Sequence, residues 1–216
     1  MCVRVLVDEP DALLSELLVC SLRAPEFDLH SRKDSTSSAL HSQILPDVAL
    51  CGGSLADYGT KCRLRELHLR YQALPILAHV APPSRGEFCR LLFGGLQGVV
   101  PLFSSRAKLQ QSLRVAATGQ AIWAPRDMRA ALRFVSRLSE RGLDQLISES
   151  IGGSAAAWVD TCADALRAVR AIARYVSSPA DHAAVDRLTL ALGTRSHSIT
   201  DTTGWAENRP AKGHDV

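Results

Sequence analysis

Three groups of residues offer functional chemistry. Asp8 and Glu9 are adjacent carboxylates that close a short β-branched run, Val3–Val7. Such a pair attracts a divalent cation, but an octahedral ion needs more oxygen ligands than two side chains supply. With no third ligand, they read as structural residues of an acidic turn, Asp8-Glu-Pro-Asp11. Asp57 is a second candidate acid, and its plain reading is an exposed loop residue. Arg167, Arg170 and Arg174 stand at i, i+3 and i+7, so a helix would place them on one face. From Arg106 to Arg174 there are eleven Lys/Arg against six Asp/Glu, a local excess larger than the net +3 of the whole chain. A basic helical region suits a polyanion, whereas an arginine row by itself is also an ordinary solvated surface.

Other chemistries find no support. The six cysteines contain no CxxC, and with the seven histidines they form no cluster of zinc spacing. Most of the cysteines lie in apolar runs, where a thiol behaves as a small hydrophobe, and a reducing compartment is expected. No metal site and no cofactor are predicted. There is no Ser/His/Asp arrangement and no Gly-rich phosphate loop, so the expectation is a non-enzyme.

The elements that position these residues change character along the 216-residue chain. The 46% hydrophobic and 22% charged composition is that of a globular protein. The longest apolar run, near Leu45–Cys51, is far below the ~20 residues of a membrane span. No charged segment precedes a long apolar stretch, and a cytoplasmic protein without a secretory leader is expected. Strand-like runs occur at Val3–Val7, Phe27–His30, Pro46–Cys51, Pro75–Val80 and Gly98–Leu102. Helical patterns lie between or after them: Leu13, Leu14, Leu17, Leu18 and Leu22 with Asp11 as N-cap, then Ala39–Ile44, Arg63–Tyr71, Glu87–Phe93 and Ser105–Thr118. Five such units predict an α/β fold with a doubly wound, five-stranded parallel sheet, because parallel neighbours need a crossover. The functional crevice of that architecture lies at the carboxyl ends of the strands, here Asp8-Glu9, Gly52, Val80-Ala81 and Leu102. Beyond Pro125 the patterns are helical only: Met128–Arg137, Arg141–Ser148, Ser154–Cys162, Ala165–Val176 and Ala183–Leu192. From Thr194 the sequence turns polar and reads as a frayed or disordered tail.

Several strings resemble the response regulators of the NarL/FixJ (LuxR-type) family. Val3-Arg-Val-Leu-Val-Asp-Glu-Pro-Asp-Ala-Leu-Leu14 is similar to the first strand and acidic turn of a receiver domain. Pro46-Asp-Val-Ala-Leu-Cys51 is similar to the third strand, and Leu74-Pro-Ile-Leu77 to the start of the fourth. Gly94-Gly-Leu-Gln-Gly98, Ser105–Leu109 and Val115-Ala-Ala-Thr-Gly119 resemble the fifth unit, and Gly119-Gln-Ala-Ile-Trp-Ala-Pro125 the exit to the linker. Leu138-Ser-Glu-Arg141, with Leu146, Gly152, Ser154, Val169 and Arg170, resembles the helix-turn-helix domain, and Asp181-His-Ala-Ala-Val185 its closing helix. Ala155-Ala-Ala157 and Asp164-Ala165 depart from the pattern.

The resemblance implies a degenerate receiver over residues 1–122, a linker helix over 123–137, a helix-turn-helix-like domain over 138–193 and a tail over 194–216. It places the phosphoacceptor position on Gly52, the hydroxyl position on Val80 or Ala81 and the lysine position on Leu102. None of these side chains can perform the family's chemistry, in which a carboxylate takes a phosphoryl group while Mg²⁺ and Lys neutralise the repulsion. A phosphorylation-independent transcriptional regulator follows, homodimeric and binding double-stranded DNA through Arg167, Arg170 and Arg174. The alternative is a protein-interaction (adaptor) module that has lost DNA binding.

Overall fold

The computed structural model describes residues 2–31, 45–54, 57–71, 74–151, 166, 169–170, 173, 176 and 178–203. Five strands, β1 (Val3–Asp8), β2 (Phe27–Ser31), β3 (Val48–Gly52), β4 (Ile76–Val80) and β5 (Gly98–Pro101), form one parallel sheet in the order β2-β1-β3-β4-β5. This is the doubly wound, flavodoxin-like order, with its topological switch between β1 and β3. The central strands β3 and β4 are buried along their whole length. That explains why their apolar residues do not alternate with exposed ones, since a parallel sheet is covered on both faces. At the opposite end of the sheet, Asp47 accepts from the Arg4 backbone N–H at 2.9 Å and from Arg4 Nη2 at 2.6 Å, pinning the entry of β3 beside β1.

Helices α1 (Ala12–Leu22), α2 (Tyr58–Arg70), α3 (Arg85–Phe93) and α4 (Arg106–Ala117) flank the sheet. Each start is set by a side-chain cap, of which Asp11 was expected from the sequence. Asp11 accepts from Leu14 N, Ser105 accepts from Lys108 N, and Ser84 with Glu87 forms a reciprocal capping box. Leu18 and Leu22 of α1 and Leu109, Leu113 and Ala116 of α4 pack with Val5, Val7, Leu50 and Leu77 on one face. Leu67 of α2 and Cys89, Leu91, Leu92 and Phe93 of α3 pack with Leu6, Cys51, Ala78 and Val80 on the other.

Three sequence expectations change. The second helix begins at Tyr58 rather than Arg63, because Asp57 is its N-cap and not a loop acid. Leu13, Leu14 and Leu17 follow the helical spacing of Leu18 and Leu22 but are 70%, 40% and 57% exposed. Only Cys51 and Cys89 of the described cysteines are buried, whereas Cys2, Cys20 and Cys62 are exposed. The expected Ala39–Ile44 and Ser154–Cys162 helices lie outside the described residues.

The remaining helices, α5 (Pro125–Val135), α6 (Glu140–Ile151) and α7 (Pro179–Thr203), contain no strand between them among the described residues. The closing helix runs well past Thr194, where the polar tail was expected to begin. Helix α5 opens with proline at its first turn, where a missing N–H costs nothing. Both α5 and α6 pack on α3, and α7 packs on α5. The result is one continuous apolar cluster from Leu6 and Ala78 in the sheet through Cys89 and Leu92 to Met128, Leu132, Leu143, Val169 and Leu188. Phe88 and Trp123 meet edge-on with centroids 4.8 Å apart, and Arg90 Nε donates to Glu149 Oε2 at 2.8 Å across the α3–α6 contact.

A shared cluster couples the sheet and the C-terminal helices in unfolding. Leu132→Ala empties a position 1% exposed and is expected to cost about 2–5 kcal/mol. Urea unfolding followed by tryptophan fluorescence and by circular dichroism should shift together, in one transition. Separation of the two probes would contradict a common core.

Candidate functional site

The carboxyl ends of β1, β3, β4 and β5 converge on one edge of the sheet, and every sequence-predicted crevice residue lies there. Asp8 ends β1 and is 3% exposed, and Glu9 follows at 5%. Gly52 ends β3 in register with His79 of β4, and Val80 of β4 pairs with Pro101 of β5. The Leu102 N–H donates to the Val80 carbonyl at 3.1 Å, carrying the pairing one residue beyond β5. Neither a hydroxyl at Val80 or Ala81 nor an amine at Leu102 faces the crevice, since those side chains are apolar.

Gly52 is where the acidic turn and the sheet meet. A β-carbon built on it would lie 1.6 Å from Glu9 Oε2 and 2.6 Å from the Glu9 carboxyl carbon. The Glu9 carboxyl therefore occupies the volume into which any side chain at position 52 would project. Its other oxygen, Oε1, accepts from the Asp11 backbone N–H at 3.1 Å, which holds the side chain folded back over its own turn. Oε2 has no hydrogen-bond partner among the described residues. Burial raises the Glu9 pKa above the ordinary carboxyl value, with the Asp11 N–H opposing the shift.

Asp8 is matched from the opposite direction. Arg63, on the first turns of α2, brings Nε to 3.6 Å from Asp8 Oδ2. Its Nη2 donates to the Gly52 carbonyl at 3.0 Å and to Thr60 Oγ1 at 3.1 Å. The Asp8 side chain is 5% exposed and that of Arg63 21%, so water screens the pair little. Asp57 supports this arrangement indirectly. Its Oδ2 accepts from the Thr60 N–H at 3.0 Å and from Thr60 Oγ1 at 3.2 Å, fixing the start of α2 and the hydroxyl that Arg63 uses. Backbone hydrogen bonds from Thr60 and Gly59 hold the Asp57 pKa below the ordinary carboxyl value. Gly53 completes the turn at φ +119°, a conformation that L side chains rarely adopt, and its missing Cβ leaves room for Thr60 and Arg63.

Cys51 and His79 are the other polar residues at this edge. Cys51 Sγ lies 3.8 Å from Asp8 Oδ2, and burial followed by the Asp8 charge pushes its thiol pKa up. A thiol held protonated in this way is unreactive. His79 is 6% exposed, burial lowers its pKa, and its Nδ1 has no partner among the described residues. No group of three or more His, Cys, Asp or Glu among the described residues could hold a metal ion. No described helix is long and apolar enough to cross a membrane.

Arg63 was not singled out by the sequence, being one of several basic residues in Arg63–Arg70. The available signal was indirect: retained acids at Asp8 and Glu9, without the lysine expected at Leu102, require a cation from elsewhere. Of the arginine row, Arg170 is exposed on a helical segment whose Val169 is fully buried and whose Leu166, Ala173 and Val176 pack against the core. Arg167 and Arg174 lie outside the described residues.

The five-stranded parallel order defines the doubly wound, flavodoxin-like class, and the acidic turn sits at the carboxyl ends of the strands, where that class keeps its site. No protein-family model matches the chain, and no curated protein sequence matches it. Among solved structures, the chain is similar to a LuxR-family two-component response regulator from Aurantimonas sp. SI85-9A1, at 14% identity and TM-score 0.47, over 62% of this chain and 98% of that one. It is similar to the response regulator ChrA of a heme-sensing two-component system, at 15% identity and TM-score 0.46, over 81% and 99%. It is also similar to the RcsB response regulator of Salmonella typhimurium, described for its conformational dynamism in DNA interaction, at 14% identity and TM-score 0.45, over 87% and 98%.

Two measurements check the site. Arg63→Ala strands the buried Asp8 charge and should cost about 2–4 kcal/mol in urea unfolding, with part recovered in the Arg63→Ala/Asp8→Asn double variant. The Glu9 pKa is raised in the folded state, so the folded state binds the proton more tightly than the unfolded chain. Its stabilising contribution is complete below the ordinary carboxyl value of 4.5 and is lost as pH rises through the folded value. The wild type should therefore lose stability relative to Glu9→Gln as pH is raised from below 4.5. A difference independent of pH would contradict the buried carboxyl.

Proposed function

We propose that the chain is a DNA-binding transcriptional regulator of the two-component response-regulator type that acts without aspartyl phosphorylation. The observation that carries this reading is the occupied acceptor position. Gly52 has no nucleophile, and the Glu9 carboxyl fills the space a side chain there would use. Arg63 lies against Asp8, where a receiver of this class would place its divalent cation. A receiver normally responds when phosphoryl transfer biases a two-state element. Here the charge balance of the crevice is internal, so its resting arrangement does not depend on a phosphodonor.

The helical half supplies the output in this reading. The face formed by Leu166, Val169, Ala173 and Val176 turns toward the core and leaves Arg170 outside. That is the disposition a groove-binding helix needs, and Arg167 and Arg174 stand three residues before and four after Arg170 in the sequence. Arginine without Asn or Gln beside it favours phosphate over base contacts, so modest sequence specificity is expected. Paired half-sites favour a homodimer. A cytoplasmic, non-enzymatic protein with no cofactor is consistent with this role.

The test is a mobility shift on the DNA upstream of the chain's own gene, at two salt concentrations. Retardation that weakens with salt is expected, and Arg170→Ala should lower affinity across sequences and reduce the salt slope by about 1. Prior treatment with acetyl phosphate should change neither the shift nor the intact mass. No retardation at low salt would overturn the regulator reading in favour of the adaptor module. A hydroxylamine-labile adduct would overturn phosphorylation independence.

A further inference from the structure

Helix α5 carries a row of arginines separate from Arg170. Arg126, Arg129 and Arg133 recur at i, i+3 and i+7, and Arg137 follows four residues on, in the turn after the helix. At 3.6 residues per turn, the three helical ones fall within about 60° of the helix circumference. The buried Met128, Ala131, Leu132 and Val135 occupy the other side, packed toward α3 and α7. The Arg126 side chain is 87% exposed and that of Arg133 65%, and Arg137 and Arg141 are exposed as well. Helix stability does not account for the row. Arg126 stands in the first turn, where the positive end of the helix dipole disfavours a cation.

The chain supplies too few counter-charges of its own. Asp127 lies 3.4 Å from Arg126, and Asp181, near the start of α7, lies 3.8 Å from Arg133. Among the described residues no carboxylate forms an ion pair with Arg129 or Arg137. The spacing indicates what would complete the balance. Arg126 to Arg133 spans about 10 Å at ~1.5 Å per residue, and one strand of a duplex presents a phosphate every ~3.4 Å. The row therefore matches about three successive phosphates of one strand. Its bases are all arginine, whose planar fork pairs with two phosphate oxygens at once. An acidic protein surface offers no such fixed linear repeat.

We propose that the outer face of α5, from Arg126 through Arg129 and Arg133 to Arg137, is a second contact for the phosphate backbone of double-stranded DNA, distinct from the helical segment that carries Arg170. The proposal rests on the DNA-binding reading above and adds a surface to it. Contacts to phosphate carry no base information, so the row contributes affinity and register rather than sequence preference. Helix α5 is packed on α3 and shares its apolar cluster with the sheet. A duplex held by this row is thereby tied to the body of the chain and not to the Arg170 segment alone.

The experiment is a fluorescence-anisotropy titration of the full chain against labelled duplexes of unrelated sequence, over a series of salt concentrations. Arg129→Ala/Arg137→Ala leaves no carboxylate stranded and should keep the thermal melt unchanged. It should weaken binding to every duplex and lower the slope of log K against log salt by about 2. Arg23 and Lys108 are exposed at the end of α1 and on α4, across the sheet from α3 and α5. Arg23→Ala/Lys108→Ala removes the same charge there and should leave the slope as in the wild type. Binding that falls with Arg170→Ala but ignores Arg129→Ala/Arg137→Ala would overturn this proposal and leave the DNA-binding reading standing, whereas a wild type that binds no duplex would overturn both. An equal loss of slope in Arg23→Ala/Lys108→Ala would reduce the row to net charge and overturn the assignment. Displacement of the duplex by polyglutamate at equal charge would do so too, in favour of an acidic protein surface.

Discussion

A carboxylate withdrawn from water is matched by a cation or shifted toward its protonated form, and this chain shows both in adjacent residues. Asp8 is matched by Arg63, which also holds the Gly52 carbonyl and so links the carboxyl end of β3 to the first turns of α2. Glu9 has no such partner and is shifted toward its neutral form by burial. The two solutions are possible together only because position 52 is glycine, whose absent side chain leaves room for Glu9. Several local features serve this arrangement: the Asp57 cap, the Thr60 hydroxyl and the positive φ of Gly53.

The same arrangement supplies the counter-charge of Asp8 from within the chain. In a site that admits Mg²⁺ and phosphoryl groups, the acids face solvent and acquire their counter-charge on binding. Here the counter-charge belongs to the polypeptide, on a side chain anchored by three separate contacts. Across the sheet from α1, helix α3 joins the sheet to the C-terminal helices. Its Phe88, Cys89 and Arg90 contact Trp123, Ala131 and Glu149. The Cys89 thiol, pushed up to about 12 by burial, is packing material rather than a reactive group. The surface of α3 is therefore committed within the chain, whereas the surface of α1 is not.

Parts of the fold were legible because local chemistry and tertiary context agree. The Pro46–Cys51 and Pro75–Val80 runs identify buried parallel strands, because only a sheet covered on both faces tolerates unbroken apolar residues. The Asp11 cap marks the start of α1 by short-range hydrogen bonding. The exposure of the α1 leucines was not legible for the converse reason. Spacing reports which residues share a face, not whether that face meets the sheet, and Leu13 and Leu17 share one that does not. Asp57 was equally ambiguous, since a loop acid and an N-cap differ only in where the next helix begins.

The sequence by itself determined the alternation of strands and helices, the acidic turn at Asp8-Glu9 and the glycine that ends β3. Those depend on residue type and on neighbours a few positions away. Tertiary structure alone decided that Arg63 meets Asp8, that Glu9 lies over Gly52, and that α3 is covered while α1 is open. Each of these joins residues that are distant along the chain. Coulombic pairing and packing act through space, and the crossovers of a parallel sheet bring such residues together without leaving a local signature.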